Sequence, residues 1–380
     1  MLKDGLQVGT LQRTPKGCRF FYTEQFLRST EPSIALHLPK KSEGMNVEGI
    51  ANLPTYFAGL LPEGLMFKAI QRQIGSAADD LFAMLAATGT DTAGDIDVQI
   101  PGVANQKPIL NIEDAREIIG ALLKDGKLRG EPLSAIAGAQ PKLSIGQLIR
   151  SSRNSRYIIK FDPPEYPHLS ANEHALMRLA RRCKIEVADT TLRDQALVVT
   201  RFDRVYDPQS KQMTRVHVED LLQVMDRFPN SKYAVEYGEI LGAMNDLGVS
   251  KASLLSAVRL YVYSYIIGNG DLHAKNVSVV YDRDAGQWRI SPAYDLLSTL
   301  PYGDPRMALA LEDEAFGRFS IGDFLAFGGK FGLAEKSVSD MIARTGSAVL
   351  KFAPDLLRGV MSPEVVRTIL DRSASLLMAT

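Results

Sequence analysis

The chain is short of several things, and each shortage excludes a class of protein. It has only two cysteines in 380 residues, Cys18 and Cys183, far apart and outside any CxxC pair. That argues against a cysteine-ligated zinc site and fits a reducing compartment. It has no net charge, since 44 lysines and arginines balance 44 aspartates and glutamates, so composition gives no sign of a general polyanion binder. No apolar run approaches the ~20 residues of a membrane span, and the opening MLKDGLQVGT has no apolar core of signal-peptide length. The expectation is a soluble, cytoplasmic protein. Neither a GxxxxGK[ST] loop nor a GxGxxG run occurs, so the common glycine-rich phosphate loops are missing too.

What is present suffices for a large fold. Hydrophobic residues at 45% and charged residues at 23% are ordinary for a globular chain. A length of 380 residues exceeds one ordinary core and predicts two or three domains or lobes.

The densest chemistry lies in residues 268–299, GNGDLHAKNVSVVYDRDAGQWRISPAYDLLST. Asp271 is followed five positions on by Asn276, and Asp295 comes after a predicted hairpin: a strand over 277–281, a turn over 282–286 and a return strand over 287–291. Phosphoryl transfer from ATP requires a carboxylate to accept the acceptor's proton and oxygen ligands to hold Mg2+ against the phosphates. Protein kinases meet that requirement with an Asp, an Asn five residues later and an Asp delivered by the next hairpin. A hairpin between Asn276 and Asp295 brings both back to one end of the sheet. Two rival readings are a metal phosphoesterase ligated by Asp271, His273 and Asp295, and a polar loop with no chemistry. The second is disfavoured because such a set is costly to bury unless paired or used.

Upstream, residues 133–144 read LSAIAGAQPKLS, where small side chains at Ala135, Ala137, Gly138 and Ala139 let backbone N–H groups approach a phosphate. The strand RYIIKF over 156–161 then sets Lys160 on the face opposite Tyr157, Ile159 and Phe161. Lys160 reads either as a phosphate-binding lysine or as a solvated edge residue. A helix is expected over 170–182, with Ser170 and Glu173 as a capping box and Glu173 alternatively the carboxylate that orients the lysine. LVVTRF over 197–202 is a buried strand, and VHVEDLLQ over 216–223 a helix start with Glu219 and Asp220 in its first turn and His217 structural.

Residues 1–100 read as short strands over 5–10, 19–22, 33–38 and 95–100, turns around LPTYFAGLLPEG, and a helix over 79–87 capped by Asp79 or Asp80. An amphipathic helix is expected over 111–124, and a long helix over 252–267 ended by Gly268 and Gly270. Further helices are expected over 321–327, 335–345 and 363–377.

AGAQPKLS, YIIKF, NEHALMRLA, RFDR, HVEDLLQ, GDLHAKN and YDLLST, in that order, resemble the HipA family of serine/threonine kinases, the toxin half of bacterial HipBA modules. FAGLLPEG and DLFAMLAATGTDTAG resemble the small module that precedes the kinase in full-length members. The resemblance implies an α+β, protein-kinase-like two-lobed fold: an accessory module over 1–128, an N-lobe over 129–225 and a mainly helical C-lobe over 226–380. It makes Asp271 the catalytic residue, and Asn276 and Asp295 the Mg2+ ligands. ATP would be held by Ala137, Gly138, Ala139, Gln140, Pro141, Lys142 and Lys160, by the hinge Thr200, Arg201 and Phe202, and by His273, Ala274, Lys275, Asn276, Tyr294 and Asp295.

The resemblance also implies a HipB-like DNA-binding antitoxin, DNA contact through that complex, and an aminoacyl-tRNA synthetase as protein substrate. The position of the family's self-phosphorylated serine is Ala135 here, which leaves Ser134 or Ser144 as substitutes. Thr200 stands where Glu is frequent at the hinge. A catalytically inactive scaffold or corepressor is the remaining alternative.

Overall fold

The computed structural model describes residues 1–49, 53–75, 77, 80–100, 142–144, 156–163, 165–312 and 318–378. The chain separates into two compact units, Met1–Phe161 with Val198–Pro229, and Asp162–Leu197 with Asn230–Thr380. The helix expected over 111–124 and the boundary at 128 lie outside the described residues. Among the described residues no helix is long and apolar enough to cross a membrane. Both cysteines are free and buried.

In the first unit, Gly9–Thr14, Gly17–Tyr22 and Met45–Glu48 form an antiparallel sheet in that order. Leu6–Gln7, Leu2–Lys3 and Ile96–Asp97 form a second. Phe20, Tyr22, Phe26 and Phe57 pack in the core, and the Phe20 and Tyr22 ring centroids lie 4.8 Å apart. The helix Leu81–Thr88 starts where the sequence placed it: Asp80 is its N-cap and accepts from Ala83 N at 3.0 Å.

Four expectations for this unit are corrected. Residues 33–38 form no strand, because their amides go to side chains: Ile34 N donates to the Tyr22 hydroxyl at 3.1 Å and Leu36 N to Glu219 Oε1 at 2.9 Å. The turns expected around LPTYFAGLLPEG include a helix, Thr55–Gly59. The strand over 95–100 is only Ile96–Asp97. Val218–Asp220 is strand rather than helix, with Glu219 buried within it; the helix begins at Leu221 under an Asp220–Gln223 capping box.

The second unit is mainly helical. Lys251–Ile267 runs through its core, with Leu254, Val258, Tyr261, Val262 and Ile266 fully buried. Its buried tyrosines keep their hydroxyls satisfied: Tyr261 donates to Leu309 O at 2.8 Å and Tyr263 to Leu176 O at 2.6 Å. Ile321–Lys330, Glu335–Leu356 and Pro363–Met378 follow, the second far longer than its sequence pattern suggested.

The helix Leu169–Arg182 corrects another expectation. Its N-cap is His168, Asp162 Oδ1 takes the Ser170 amide at 2.7 Å, and Glu173 lies buried inside the helix, so no Ser170–Glu173 capping box forms. An outside carboxylate has taken the cap's role.

Candidate active site

The site grows from the end of the helix Lys251–Ile267. Ser250 caps its start, accepting from Ser253 N at 3.2 Å, and Gly268 ends it at φ +67. A Cβ at 268 would meet Leu300 Cγ at 2.5 Å, so both the left-handed backbone and the packing call for glycine. The chain then enters a loop clipped at its base: Thr299 N donates to Gly268 O at 2.9 Å, and Gly270 N to Thr299 Oγ1 at 3.1 Å.

Asp271 sits in this loop at 5% exposure. Its amide donates to Asn269 Oδ1 at 3.0 Å. Its carbonyl accepts from His273 N and from Asn276 Nδ2, each at 2.8 Å. Asn276 N donates to His273 O at 2.8 Å, closing the short 3-10 turn Ala274–Asn276. The Asp271 carboxylate accepts the Tyr233 hydroxyl at 2.7 Å, and His273 Nε2 lies 3.9 Å from the same oxygen. The carboxylate's field also reaches Tyr166, whose phenol pKa is raised by burial first and then by Glu165, Asp271 and Asp304.

Asp295 reaches the site through the hairpin Ser278–Asp282 and Gln287–Ile290, which pairs Val279 with Ile290 and Asp282 with Gln287. Ser291 N extends the pairing to Ser278 O at 2.9 Å. The Tyr294 hydroxyl then meets Lys275 O at 2.8 Å and Ser278 Oγ at 2.5 Å, tying the residue before Asp295 to the loop that ends at Asn276. Asp295 is buried at φ +55, a conformation Asp tolerates better than most. Beyond it, Ser298 N donates to Asn172 Oδ1 and Asn172 Nδ2 to Ser298 O, both at 2.9 Å, locking this segment to the helix Leu169–Arg182.

Asn276 and Asp295 offer hard oxygen donors of the kind Mg2+ takes. The fit is supported by the Asn276 amide: its nitrogen is committed to Asp271 O, which leaves Oδ1 as the end able to face a cation. The phosphoesterase set Asp271, His273 and Asp295 is not assembled; among the described residues no group of three His, Cys, Asp or Glu is placed to hold a metal.

The other predicted residues lie in the first unit. Lys160 is buried in the strand Tyr157–Phe161, opposite Lys142 in the antiparallel pairing with Lys142–Ser144, so it is not a solvated edge lysine. Ala137, Gly138, Ala139, Gln140, Pro141 and Ser134 lie outside the described residues, and Ser144 is described only as strand backbone, paired with Ile158. Thr200 ends the strand Ala196–Thr200. Arg201 donates its amide to Arg156 O at 2.8 Å and turns its guanidinium inward to Asp91 and Asp203, both at 2.8 Å.

Sequence reading missed Tyr233, Asn269, Asn172 and Thr299. Asn269 and Thr299 bracket the motif and were open to notice. Tyr233, 38 positions before Asp271, sits in FPNSKYAVEY, which has neither periodicity nor motif.

Two family models match the chain: the HipA N-terminal domain over residues 1–99 and the HipA-like C-terminal domain over 134–352. Together they define a class of protein in which a HipA N-terminal domain precedes a HipA-like C-terminal domain. The chain belongs to the HipA family of kinases. Two proteins of Sinorhizobium fredii that carry kinase names are similar to it: Y4dM, 30% identical over 77% of this chain and 74% of that one, and Y4mE, 28% identical over 93% and 91%. The serine/threonine-protein kinase toxin HipA of Shewanella oneidensis is 27% identical over 68% of this chain and 66% of its own. The fold is shared with a chain of the solved HipA, HipB and operator DNA complex of Shewanella oneidensis MR-1, with a TM-score of 0.80, 23% identity, and coverage of 99% of this chain and 97% of that one.

Proposed function

We propose that this protein is an ATP-dependent serine/threonine protein kinase of two lobes with an accessory N-terminal module, acting in the cytoplasm. The observation that carries the reading is the Asn276 side chain pinned to the Asp271 carbonyl. In this reading it joins the proton acceptor and one oxygen ligand within one loop, and the Tyr294 contact with Lys275 ties the segment of the second ligand to that loop.

Bound Mg2+ would supply neutralisation of the phosphate oxygens. In this reading Asp271 orients the acceptor hydroxyl and takes its proton, and Asn276 and Asp295 hold the cation. Lys160 balances phosphate charge, helped by residues 137–142, while residues 200–202 line the adenine and His273, Ala274, Lys275 and Tyr294 line the nucleotide. Catalysis is then positioning and electrostatics. The partner is a HipB-like antitoxin that carries the complex to DNA; support comes from the HipA, HipB and operator complex whose fold this chain shares. An aminoacyl-tRNA synthetase is the proposed protein substrate, its phosphorylation arresting growth, and Ser134 or Ser144 the proposed self-modified residue in place of Ala135.

The test is transfer from labelled ATP in a cell lysate by the wild-type protein and by Asp271→Asn, with intact mass taken on both. A labelled band lost in the variant supports the kinase and identifies its substrate. A gain of one phosphate on the wild-type protein, mapped to Ser134 or Ser144, supports self-modification. Failure of both proteins to bind Mg-ATP overturns the reading and leaves the inactive scaffold.

A further inference from the structure

Tyr233 reaches the site from the surface. The residue is 37% exposed, yet its hydroxyl donates to Oδ1 of Asp271, which is only 5% exposed, at 2.7 Å. The turn that carries it is closed by Ala234 N donating to Ser231 O at 2.9 Å, and is fastened to the catalytic loop by Ala274 N donating to Lys232 O at 3.2 Å. The phenol ring meets the His273 ring edge-on, centroids 5.2 Å apart and planes at 82°.

A carboxylate that takes a proton from an acceptor must have that hydroxyl within about 2.6–3.2 Å. The Tyr233 oxygen occupies that distance now. We propose that the Tyr233 hydroxyl marks the acceptor subsite: it holds the place of the substrate's serine or threonine hydroxyl, and the incoming acceptor displaces it. This rests on the kinase reading and defines where its substrate enters.

The exchange is nearly balanced. The incoming hydroxyl replaces one hydrogen bond to the carboxylate with another of the same kind. A residue more than a third exposed has limited apolar burial to hold it in place. In the step that follows, the acceptor oxygen bonds to the γ-phosphorus, the bond from that phosphorus to the bridging oxygen breaks, ADP leaves with the electron pair, and the acceptor proton passes to Asp271. Water is the smallest acceptor that fits the same position. Removing the phenol oxygen while keeping the ring therefore opens the subsite to water.

The experiment compares wild type, Tyr233→Phe and Asp271→Asn in Mg-ATP binding and in ADP release without any protein acceptor. A parallel pair carries 3-fluorotyrosine at position 233, with and without Asp271→Asn. The expected result is Mg-ATP binding by all three, ADP release several-fold faster in Tyr233→Phe and lost in Asp271→Asn, and a fluorine resonance that moves when Asp271 becomes Asn. Binding without faster ADP release in Tyr233→Phe overturns the subsite and leaves the kinase standing, as does a resonance indifferent to Asp271. If none of the proteins binds Mg-ATP, the kinase reading falls and the subsite with it.

Discussion

The side-chain amide of Asn276 donates to the main-chain carbonyl of Asp271 at 2.8 Å, across the five positions that separate them. The residue proposed to hold magnesium is thus also the strut of the loop that presents the proposed base.

Two substitutions separate these roles. Asn276→Ala removes both the strut and the oxygen, whereas Asn276→Asp keeps an oxygen and loses the donor. The Asp271 carbonyl keeps its bond from His273 N, so losing the Asn276 donor should cost about 0.5–1.5 kcal/mol in each. Magnesium affinity, read from the Mg2+ dependence of ATP binding, should fall roughly 10- to 100-fold in the alanine variant and less in the aspartate. Equal affinities in the two variants would show that the oxygen at 276 is not a ligand.

Gly268 is required for two reasons that a double variant can pull apart. Gly268→Ala meets both a left-handed backbone, worth about 1–2 kcal/mol, and Leu300. In a Leu300→Ala background the collision is gone and the backbone cost remains. Chemical denaturation should therefore show a smaller loss for Gly268→Ala in that background than in the wild type. A loss of the same size would mean that Leu300 already yields.

Arg201 was assigned to the hinge from the resemblance, but its side chain serves a buried ion network. It pairs with Asp91 and Asp203, and Arg204 pairs with the same two carboxylates at 3.1 and 2.8 Å. Burial would raise the Asp203 pKa, and Arg201 and Arg204 outweigh it and hold the carboxyl well below its ordinary range. Arg201→Met leaves the two buried carboxylates with Arg204 as their shared partner, one negative charge in excess, and should cost about 3–5 kcal/mol in urea denaturation. Adding Asp91→Leu should recover part of that loss, because the excess charge is then gone.

The parts of this protein legible in its sequence were those written locally. The hairpin after Asn276 followed from alternation and a turn, the Lys251–Ile267 helix from its apolar spacing and Gly268, and the Asp80 cap from its place before an apolar period. What could not be read was set by partners distant in the chain. Residues 33–38 alternate like a strand, yet Glu219, some 180 positions away, takes the Leu36 amide. Glu173 looked like a cap partner until Asp162 supplied the cap. Tyr233 carries no local signal, and only the folded chain brings it to Asp271.

The last prediction concerns pH. His217 lies buried between Asp95, 3.2 Å from Nδ1, and Glu219, 3.0 Å from Nε2, with Lys3 also 3.4 Å from Asp95. Burial alone would lower its pKa, but the two carboxylates outweigh burial and raise the imidazole from 6.5 to about 9. A group raised in the fold contributes its full stabilisation below the unfolded value of 6.5 and loses it as pH climbs to about 9. The stability difference between wild type and His217→Gln should therefore shrink by about 1.4 kcal/mol per pH unit across that window. Denaturation of both proteins at intervals from pH 6 to 9.5 measures it, and taking the difference cancels every other titrating group the two share. A difference constant with pH would mean that the buried imidazole is neutral and donates from one ring nitrogen alone, with no charge pairing to Asp95 and Glu219.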